Sequence, residues 1–384
     1  VTDVIVVGAG PAGAVAATIL ARAGARVRLL ERAAFPRHKL CGDTLNPGAL
    51  AILKRLDLAT AVEQQGLRVD GMIVTGENGV TIEGRYPFPH YGRSLPRAAL
   101  DAALVEGAIA AGVEFEERAP VRQAIFDGGG SRVEGVSIGV NGHRRDLRAA
   151  VTIAADGRRS TLAFALGLLA HPRAPRRWAI GAYLHDVPHV SSCGEMHIRP
   201  GRYIGVAPLP GGITNVCVVR PVSPSDRPLG DPAELLRTAL ARDPLLADRF
   251  AAARFAARPS VLGPLAVDAQ TRVAIPDGLL LAGDAAGFVD PMTGDGLRFA
   301  LRGAELAAAS ALRALEHGWT GVQRDLAASR RSELAPKFRF NRTLRRLVGS
   351  PAAVRTATIA ARVAPGVPGV IRAIMARASD CDLA

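Results

Sequence analysis

Long uninterrupted apolar runs are missing from this 384-residue sequence; even Ala14 to Leu30 is broken by Arg22, Arg26 and Arg28, so no membrane-spanning helix is expected. Cysteine is scarce: Cys41, Cys193, Cys217 and Cys381 lie far apart with no Cys-x-x-Cys pair, which argues against a disulfide framework and a structural zinc site. With two Trp and four Tyr the chain has no aromatic stacking platform and no zinc module, so its net charge of +13 does not by itself point to nucleic acid. That charge reflects an Arg-rich composition, or a surface that attracts anionic lipid or an anionic substrate. No His-Asp-Ser set, paired-carboxylate signature or His-Glu-x-x-His motif is present, and no metal site is expected. The sequence opens on a strand pattern with no basic and apolar leader before it, from which a cytoplasmic location is expected. What is present in quantity is apolar residue, 48%, enough for a sizeable core in a chain longer than one typical domain.

The sharpest signal lies in the first forty residues. Val4 to Val7 is short and fully apolar, as a buried parallel strand would be. Gly8-Ala9-Gly10-Pro11-Ala12-Gly13 follows, and Ala14 to Ala23 reads as a helix. Gly8 permits the tight turn, Gly10 removes the side chain that would hold a pyrophosphate away, and Gly13 lets helix and strand approach closely. The helix N-terminus then offers backbone N–H groups to a diphosphate. A second strand, Arg26 to Leu30, delivers Glu31 at its end with Arg32 beside it; a carboxylate there can accept both adenosine ribose hydroxyls and would repel a 2′-phosphate.

A second cluster separates FAD from NAD. Gly278 to Ala282 reads as another short strand and runs into Gly283-Asp284-Ala285-Ala286-Gly287, then Asp290-Pro291 and Gly294-Asp295-Gly296, ahead of a helix pattern from Leu297 to Leu315. Asp284 at a strand end is placed to bond a ribityl hydroxyl. The Gly294–Gly296 turn and the helix behind it would face the flavin N1–C2 edge and favour the anionic reduced ring.

Together these residues resemble the p-hydroxybenzoate hydroxylase-like superfamily of FAD enzymes, whose third fingerprint, a central Asp-Gly, is Asp156-Gly157 here. Within it the likeness is to the geranylgeranyl reductase branch and its flavin-dependent halogenase neighbours, carried by Phe35-Pro36-Arg37-His38-Lys39-Leu40-Cys41-Gly42, by Arg97-x-x-Leu100-Asp101-x-x-Leu104, and by Gly283-Asp284 running to Asp290-Pro291 and Gly294. Gly42-Asp43-Thr44-Leu45-Asn46-Pro47 is similar to the matching halogenase segment. The resemblance implies an α/β fold: a Rossmann-like FAD-binding domain of the p-hydroxybenzoate hydroxylase type, an inserted antiparallel-sheet substrate domain and a helical C-terminal tail. The expected division is 1–65, 95–169 and 265–335 for the discontinuous FAD-binding domain, 66–94 and 170–264 for the substrate domain, and 336–384 for the tail.

The resemblance also assigns roles. Arg97 is expected to reach the FAD diphosphate or ribityl chain, and Asp156 and Gly157 to serve the diphosphate and pyridine-nucleotide handling, with Arg158 and Arg159 near an NAD(P)H phosphate. Pro291, Gly294, Asp295 and Gly296 complete the cofactor set. Cys41 is the candidate pocket cysteine; His38 and His197 are secondary proton-donor candidates. No second Gly-x-Gly-x-x-Gly unit follows, so the reductant is NAD(P)H visiting transiently or an electron-donor protein such as a ferredoxin or flavin reductase. Reductases of the branch show Tyr-x-Trp-x-Phe-Pro in a strand over the flavin; this chain has Tyr203-Ile204-Gly205-Val206-Ala207-Pro208. Residues 203, 205 and 207 share one strand face, so Gly205 and Ala207 remove two bulky walls from one side of the pocket. The expected function is reduction of a carbon–carbon double bond in an apolar prenyl or polyene-like substrate. Monooxygenation of an aromatic or polyketide-like substrate is the alternative, and halogenation is a distant third. The basic, amphipathic stretch Phe338 to Val348 either touches anionic membrane or packs on the FAD domain through Leu344, Leu347 and Val348.

Overall fold

The computed structural model describes residues 2–77, 79–140, 143–173, 176–221, 230–270, 272–364 and 366–379; Cys381 lies outside them. Five short strands form an all-parallel sheet in the order Leu279–Leu281, Val151–Ala154, Val4–Val7, Val27–Leu30, Glu114–Glu116. Alternate residues of the first strand enter different cores: Val4 and Val6 pack beneath the helices, Ile5 and Val7 against the opposite layer. That two-sided burial is why these strands read as unbroken apolar runs.

The helical layer comprises Pro11–Arg22, Arg97–Ala110 and Gly296–His317. Its contact positions are small: Ala12, Ala14, Ala16 and Ala17 on the first helix, and Ala300, Ala304, Ala307, Ala308 and Ala311 on the last, are all buried. Alanine-rich faces let helix backbones approach closely, so the high alanine content is the means of packing. The opposite layer is a three-stranded sheet, Val121–Phe126, Val133–Val140 and His143–Arg148. The segment from Arg148 to Ala154 thus holds parts of two strands. Arg148 ends a hairpin, whereas Val151–Ala154 belongs to the parallel sheet, the chain turning between them where Ala149 N–H bonds Glu134 C=O.

A second, eight-stranded sheet runs Arg254–Phe255, Arg177–His185, Thr214–Pro221, Arg202–Pro208, Cys193–Arg199, Gly71–Thr75, Thr81–Arg85, with Ser260–Leu262 also on Arg177–His185. All its pairs are antiparallel except Cys193–Arg199 with Gly71–Thr75, which is parallel, so this sheet is mixed. The segment from Leu67 to Thr75 also divides into two strands. Asp70 N–H bonds Ser192 C=O and Asp70 C=O accepts from Tyr86 N–H, leaving Leu67–Val69 to pair with Gly92–Ser94 in a separate small sheet. One face of the large sheet packs on Pro232–Ala241 and Ala247–Phe250 through Ile204, Val206, Val216 and Leu236. The other carries Ala179, Tyr203, Cys217 and Val219 and meets Leu265, Met292 and Val348.

Three helices, Ala335–Val348, Pro351–Val363 and Val367–Ser379, finish the described chain. Phe338 stacks on Phe299 at 4.4 Å between centroids, and Met375 lies against Gly84. Val348 is buried and Leu344 half-buried, but Leu347 is 52% exposed, so Ala335–Val348 covers the body with one face and shows the other to solvent. Among the described residues no helix is long and apolar enough to cross a membrane, and no side-chain cluster could hold a metal ion.

Candidate active site

The turn after Val4–Val7 is held by backbone contact. Gly8 has φ +98°, and a Cβ on it would meet Asp156 Cα at 2.6 Å; a Cβ on Gly13 would meet Gly8 O at 1.8 Å. No side chain fits at either position, because helix, strand and the Ala155–Asp156 segment meet there. Gly10 instead faces open space, with Arg37 Nη2 at 3.6 Å from where its Cβ would stand, so the N-terminus of Pro11–Arg22 is accessible to an anion. Glu31 is buried. Its Oε2 accepts from Ala9 N–H at 3.1 Å and faces Arg37 Nε at 3.3 Å, and its Oε1 accepts from Ala33 N–H at 3.1 Å. A carboxylate has about four lone-pair directions, so ribose hydroxyls can still be accepted. Arg32 is exposed beside Asp156.

A continuous cavity runs from this turn to the large sheet, enclosing about 1570 Å³ including its open mouth. At one end stand Gly10, Pro11, Ala12, Gly157, Gly283 and Asp284; at the other, Met72, Met196, Gly205, Ala207 and Leu262. Asp284 is half-buried and within electrostatic reach of Lys39 and Arg158. Burial, reinforced by Arg97, pulls the pKa of Lys39 below the usual lysine value. Pro291, Gly294 and Gly296 line the middle of the cavity with Thr293, whose buried Oγ1 has no hydrogen-bond partner among the described residues.

Several expected site residues have other work. Arg97 is buried in a bidentate pair with Asp101, Nε and Nη2 each 2.9 Å from a carboxylate oxygen, with Cys41 within electrostatic reach of its guanidinium. Burial opposes its charge, but Asp101 and Cys41 more than offset that, and its pKa is raised. It therefore borders the cavity at Cys41. The Asp156 carboxylate accepts from Thr161 N–H at 2.8 Å, so within this pair it is Gly157 that faces the cavity. Arg158 and Arg159 donate to Pro264 C=O at 2.7 Å and Gly263 C=O at 2.6 Å, which ties them to a turn and away from a mobile phosphate. Asp295 is 1% exposed and turns toward the tail: Asn46 Nδ2 at 3.3 Å, Asn341 Nδ2 at 3.2 Å and Lys337 Nζ at 3.4 Å surround it. Lys337 also donates to Ala378 C=O at 3.2 Å, capping the last helix, whose Ser379 lines the cavity.

Tyr203 is not free to act on a substrate. Its hydroxyl donates to Asp290 Oδ1 at 2.6 Å, and burial with Asp290 beside it raises the phenol pKa well above normal. Asp290 also accepts from Met292 N–H at 3.1 Å and Arg177 Nη1 at 3.3 Å. Gly205 and Ala207 do face the cavity, as strand alternation implies, and a Cβ at Gly205 would meet only Cys217 O, at 4.0 Å. Cys41 lines the cavity as a free, half-buried thiol. His38 is exposed; His197 is buried between Thr75 Oγ1 at 2.8 Å and Glu195 at 2.9 Å, in a network with Arg249, and neither lines the cavity. Asp290, Thr293 and the Asp295 tail anchor were not singled out as such from the sequence. The partners of Asp290 and Asp295 include residues 87 and 249 positions away, and the one local signal was the Asp-Pro step before the glycine turn.

Residues 1–337 match the family described as FAD binding domain. The chain belongs to that family. It is 33% identical to a menaquinone reductase of Mycolicibacterium smegmatis across 93% of this chain and 89% of that protein. It is 31% identical to a digeranylgeranylglycerophospholipid reductase 2 of Methanopyrus kandleri across 83% and 79%. The crystal structure of a flavoprotein/dehydrogenase from Cytophaga hutchinsonii shares its fold, with a TM-score of 0.85 at 24% identity over 99% of this chain and 93% of that one. The chain is thus a FAD-binding flavoenzyme of the oxidoreductase class.

The residues present fit the cofactor. The open helix N-terminus at Gly10 suits the diphosphate, Glu31 the adenosine ribose and Asp284 the ribityl hydroxyls, while Thr293 Oγ1 supplies an unpaired polar atom beside the glycine turn. Because a Cβ at Gly205 would meet nothing nearer than Cys217 O at 4.0 Å, Gly205→Trp is expected to leave FAD content and melting temperature near wild type. Turnover of long apolar substrates should fall at least about tenfold as the indole displaces them from near-attack geometry. Loss of FAD in step with turnover would show that the space at Gly205 is already needed by the fold.

Proposed function

We propose that this enzyme reduces an isolated carbon–carbon double bond in an apolar, prenyl-chain substrate. The observation that carries the proposal is the cavity. It joins the dinucleotide turn to an aliphatic wall of Met72, Met196, Leu262 and Leu265, widened by Gly205 and Ala207 where large aromatics are expected in the branch. Two relatives above 30% identity are named as reductases, one of them of digeranylgeranylglycerophospholipid, which supports the same reading. The neighbouring halogenases resemble Trp-x-Trp-x-Ile-Pro along this strand, and Tyr203 and Gly205 stand where both tryptophans would be, which weighs against halogenation.

FAD, when bound and reduced, supplies hydride. The protein's part is to bind the chain between the aliphatic walls, keep water from the reacting carbons and deliver one proton, for which the Cys41 thiol is the cavity-facing donor. Reducing equivalents come from NAD(P)H visiting the cavity mouth or from an electron-donor protein, since no second dinucleotide unit follows the first. A panel of prenyl compounds incubated anaerobically with dithionite-reduced enzyme in deuterated water should gain two hydrogens per reduced bond, both carrying the solvent label because dithionite supplies electrons only. A strict requirement for O2, with labelled oxygen retained in the product, would make the enzyme a monooxygenase instead.

We further propose peripheral contact with anionic membrane, through a surface broader than the Phe338–Val348 stretch. From Leu334 to Ser379 the chain has nine Lys and Arg and no Asp or Glu. Leu347, Ile359, Val363 and Val370 are 52–75% exposed on the same three helices. Basic residues around exposed aliphatics suit an anionic bilayer. Truncating the tail would strip the Asn341 and Lys337 contacts from Asp295, so charge reversal is the cleaner probe. Full-length protein should float with anionic liposomes and stay behind with neutral ones, and Arg355→Glu with Arg362→Glu and Arg372→Glu should abolish flotation while FAD content is kept. Equal flotation of the two proteins removes the membrane reading.

A further inference from the structure

The large cavity has a charged part and an apolar part, and a long apolar substrate is suited only to the second. Lys39, Arg158 and Asp284 line the first, beside the Gly10 turn that fits the dinucleotide. In the second, Val69, Met72, Tyr86 and Ser379 share the lining. Val69 and Tyr86 meet across Gly92: Val69 Cβ and Tyr86 Cε2 are 3.5 and 3.6 Å from where a Cβ on Gly92 would stand, and Leu45 O is 2.6 Å from the same point. Asn46, next in the chain, also lines the cavity, and its Nδ2 lies 3.5 Å from Ala378 C=O. The end of the last helix, Val367–Ser379, therefore closes this wall.

That helix lies along Thr81–Arg85, the edge strand of the large sheet. Pro368 and Arg372 border a recess with Gly79, Val80, Thr81 and Ile82, and Arg372 Nε donates to Glu83 C=O at 3.1 Å. Met375 fills a notch at Gly84, its Cε 3.0 Å and its Cβ 4.0 Å from where a glycine Cβ would stand. One turn later Ser379 reaches the cavity, so residues 368–379 follow 79–86 in step. Met375, Ala378 and Ser379 are buried, whereas Val370 on the same helix is 60% exposed and Phe88, two residues past Tyr86, is 97% exposed. Large apolar side chains thus stand in solvent on both elements that form the seam. A hydrogen bond to a carbonyl and a methionine in a notch are ties that can part while the sheet stays folded.

We propose that the seam between Thr81–Arg85 and Val367–Ser379 is the entrance for the apolar substrate, and that the last helix is its gate. The assignment rests on the reductase and membrane readings above. A prenyl chain held in a bilayer passes from lipid, past the lifted helix, to the Val69, Met72 and Tyr86 wall without crossing water. Every isoprene unit exposed to water on another route would make the transfer less favourable, so this entrance matters more as the chain lengthens. A short, water-soluble analogue has no such need and can use the open mouth of the cavity. Met72, Tyr86 and Ser379 are then the first protein groups that the incoming chain meets.

The 4.0 Å between the Cβ positions at 84 and 375 lies inside the range of about 3.5–4.5 Å that a disulfide needs. Full-length, FAD-loaded protein carrying Gly84→Cys and Met375→Cys should therefore oxidise to a bridge that pins the helix to the strand, checked by mass spectrometry of the joined peptides. The probes are geranylgeraniol presented in anionic vesicles and prenol in solution, and binding is followed by the change in flavin absorbance. Oxidation should slow geranylgeraniol uptake at least about tenfold and dithiothreitol should restore it, while prenol binding and flavin reduction by dithionite stay within about twofold. Met375→Ala empties the notch and should quicken geranylgeraniol uptake several-fold, which decides the matter if the bridge does not form. Equal uptake by the oxidised and reduced protein, or uptake by Met375→Ala at the wild-type rate, would overturn the gate. Uptake that obeys the bridge in a protein that leaves the double bonds intact would refute the reductase reading and leave the entrance where it is.

Discussion

The Asp290 carboxylate ties the large sheet to the loop ahead of the long helix. One oxygen receives the Tyr203 hydroxyl from the large sheet and the Met292 N–H from the loop ahead of the long helix; the other receives Arg177. At 6% exposure these bonds are made in a poorly screened setting, where a buried carboxylate left without partners would be strongly destabilising. The loop that presents Pro291, Thr293 and Gly294 is therefore fixed relative to the strand that presents Gly205 and Ala207. This junction helps set the spacing between the glycine turn and the substrate wall, on which near-attack geometry depends.

Around that junction the architecture divides its tasks. The parallel sheet brings strand ends and the turns at Gly8 and Gly283 to one edge, where the open helix N-terminus at Gly10 and the Glu31 and Asp284 carboxylates fit a dinucleotide. The large mixed sheet spends one face on its own helices and leaves the other, with Met196, Gly205 and Cys217, to the cavity. The tail completes the enclosure through Asp295, where Asn46, Asn341 and Lys337 converge and Ser379 reaches the cavity wall.

The parts legible in the sequence are those set by local backbone demands. Gly8 and Gly13 announce themselves because only glycine tolerates contacts of 2.6 and 1.8 Å, and Glu31 follows at a strand end fixed by the same unit. Strand alternation placed Gly205 and Ala207 on one face because a pleat has a period of two. The same rule put Tyr203 beside them but could not show that its hydroxyl is claimed by Asp290, 87 residues on. Asp295 illustrates the same limit. Its position before a helix suggested the flavin, while its buried side chain is committed to Asn46, some 249 residues earlier, and to the tail. For Arg97 the resemblance implies a place near the FAD diphosphate or ribityl chain, and the fold adds what no spacing shows, a bidentate pair with Asp101 at the cavity edge beside Cys41. Side-chain partnerships between distant segments carry no period and no spacing, and so only the fold reveals them.

The central claim is that one cavity, from the Gly10 turn to the underside of the large sheet, holds a single dinucleotide flavin against an apolar substrate space. Its most direct test is the identity and amount of flavin released by heat from purified protein and resolved by chromatography. The account requires FAD, bound non-covalently at one per chain. FMN in its place, or no flavin retained after reconstitution with FAD, would contradict it.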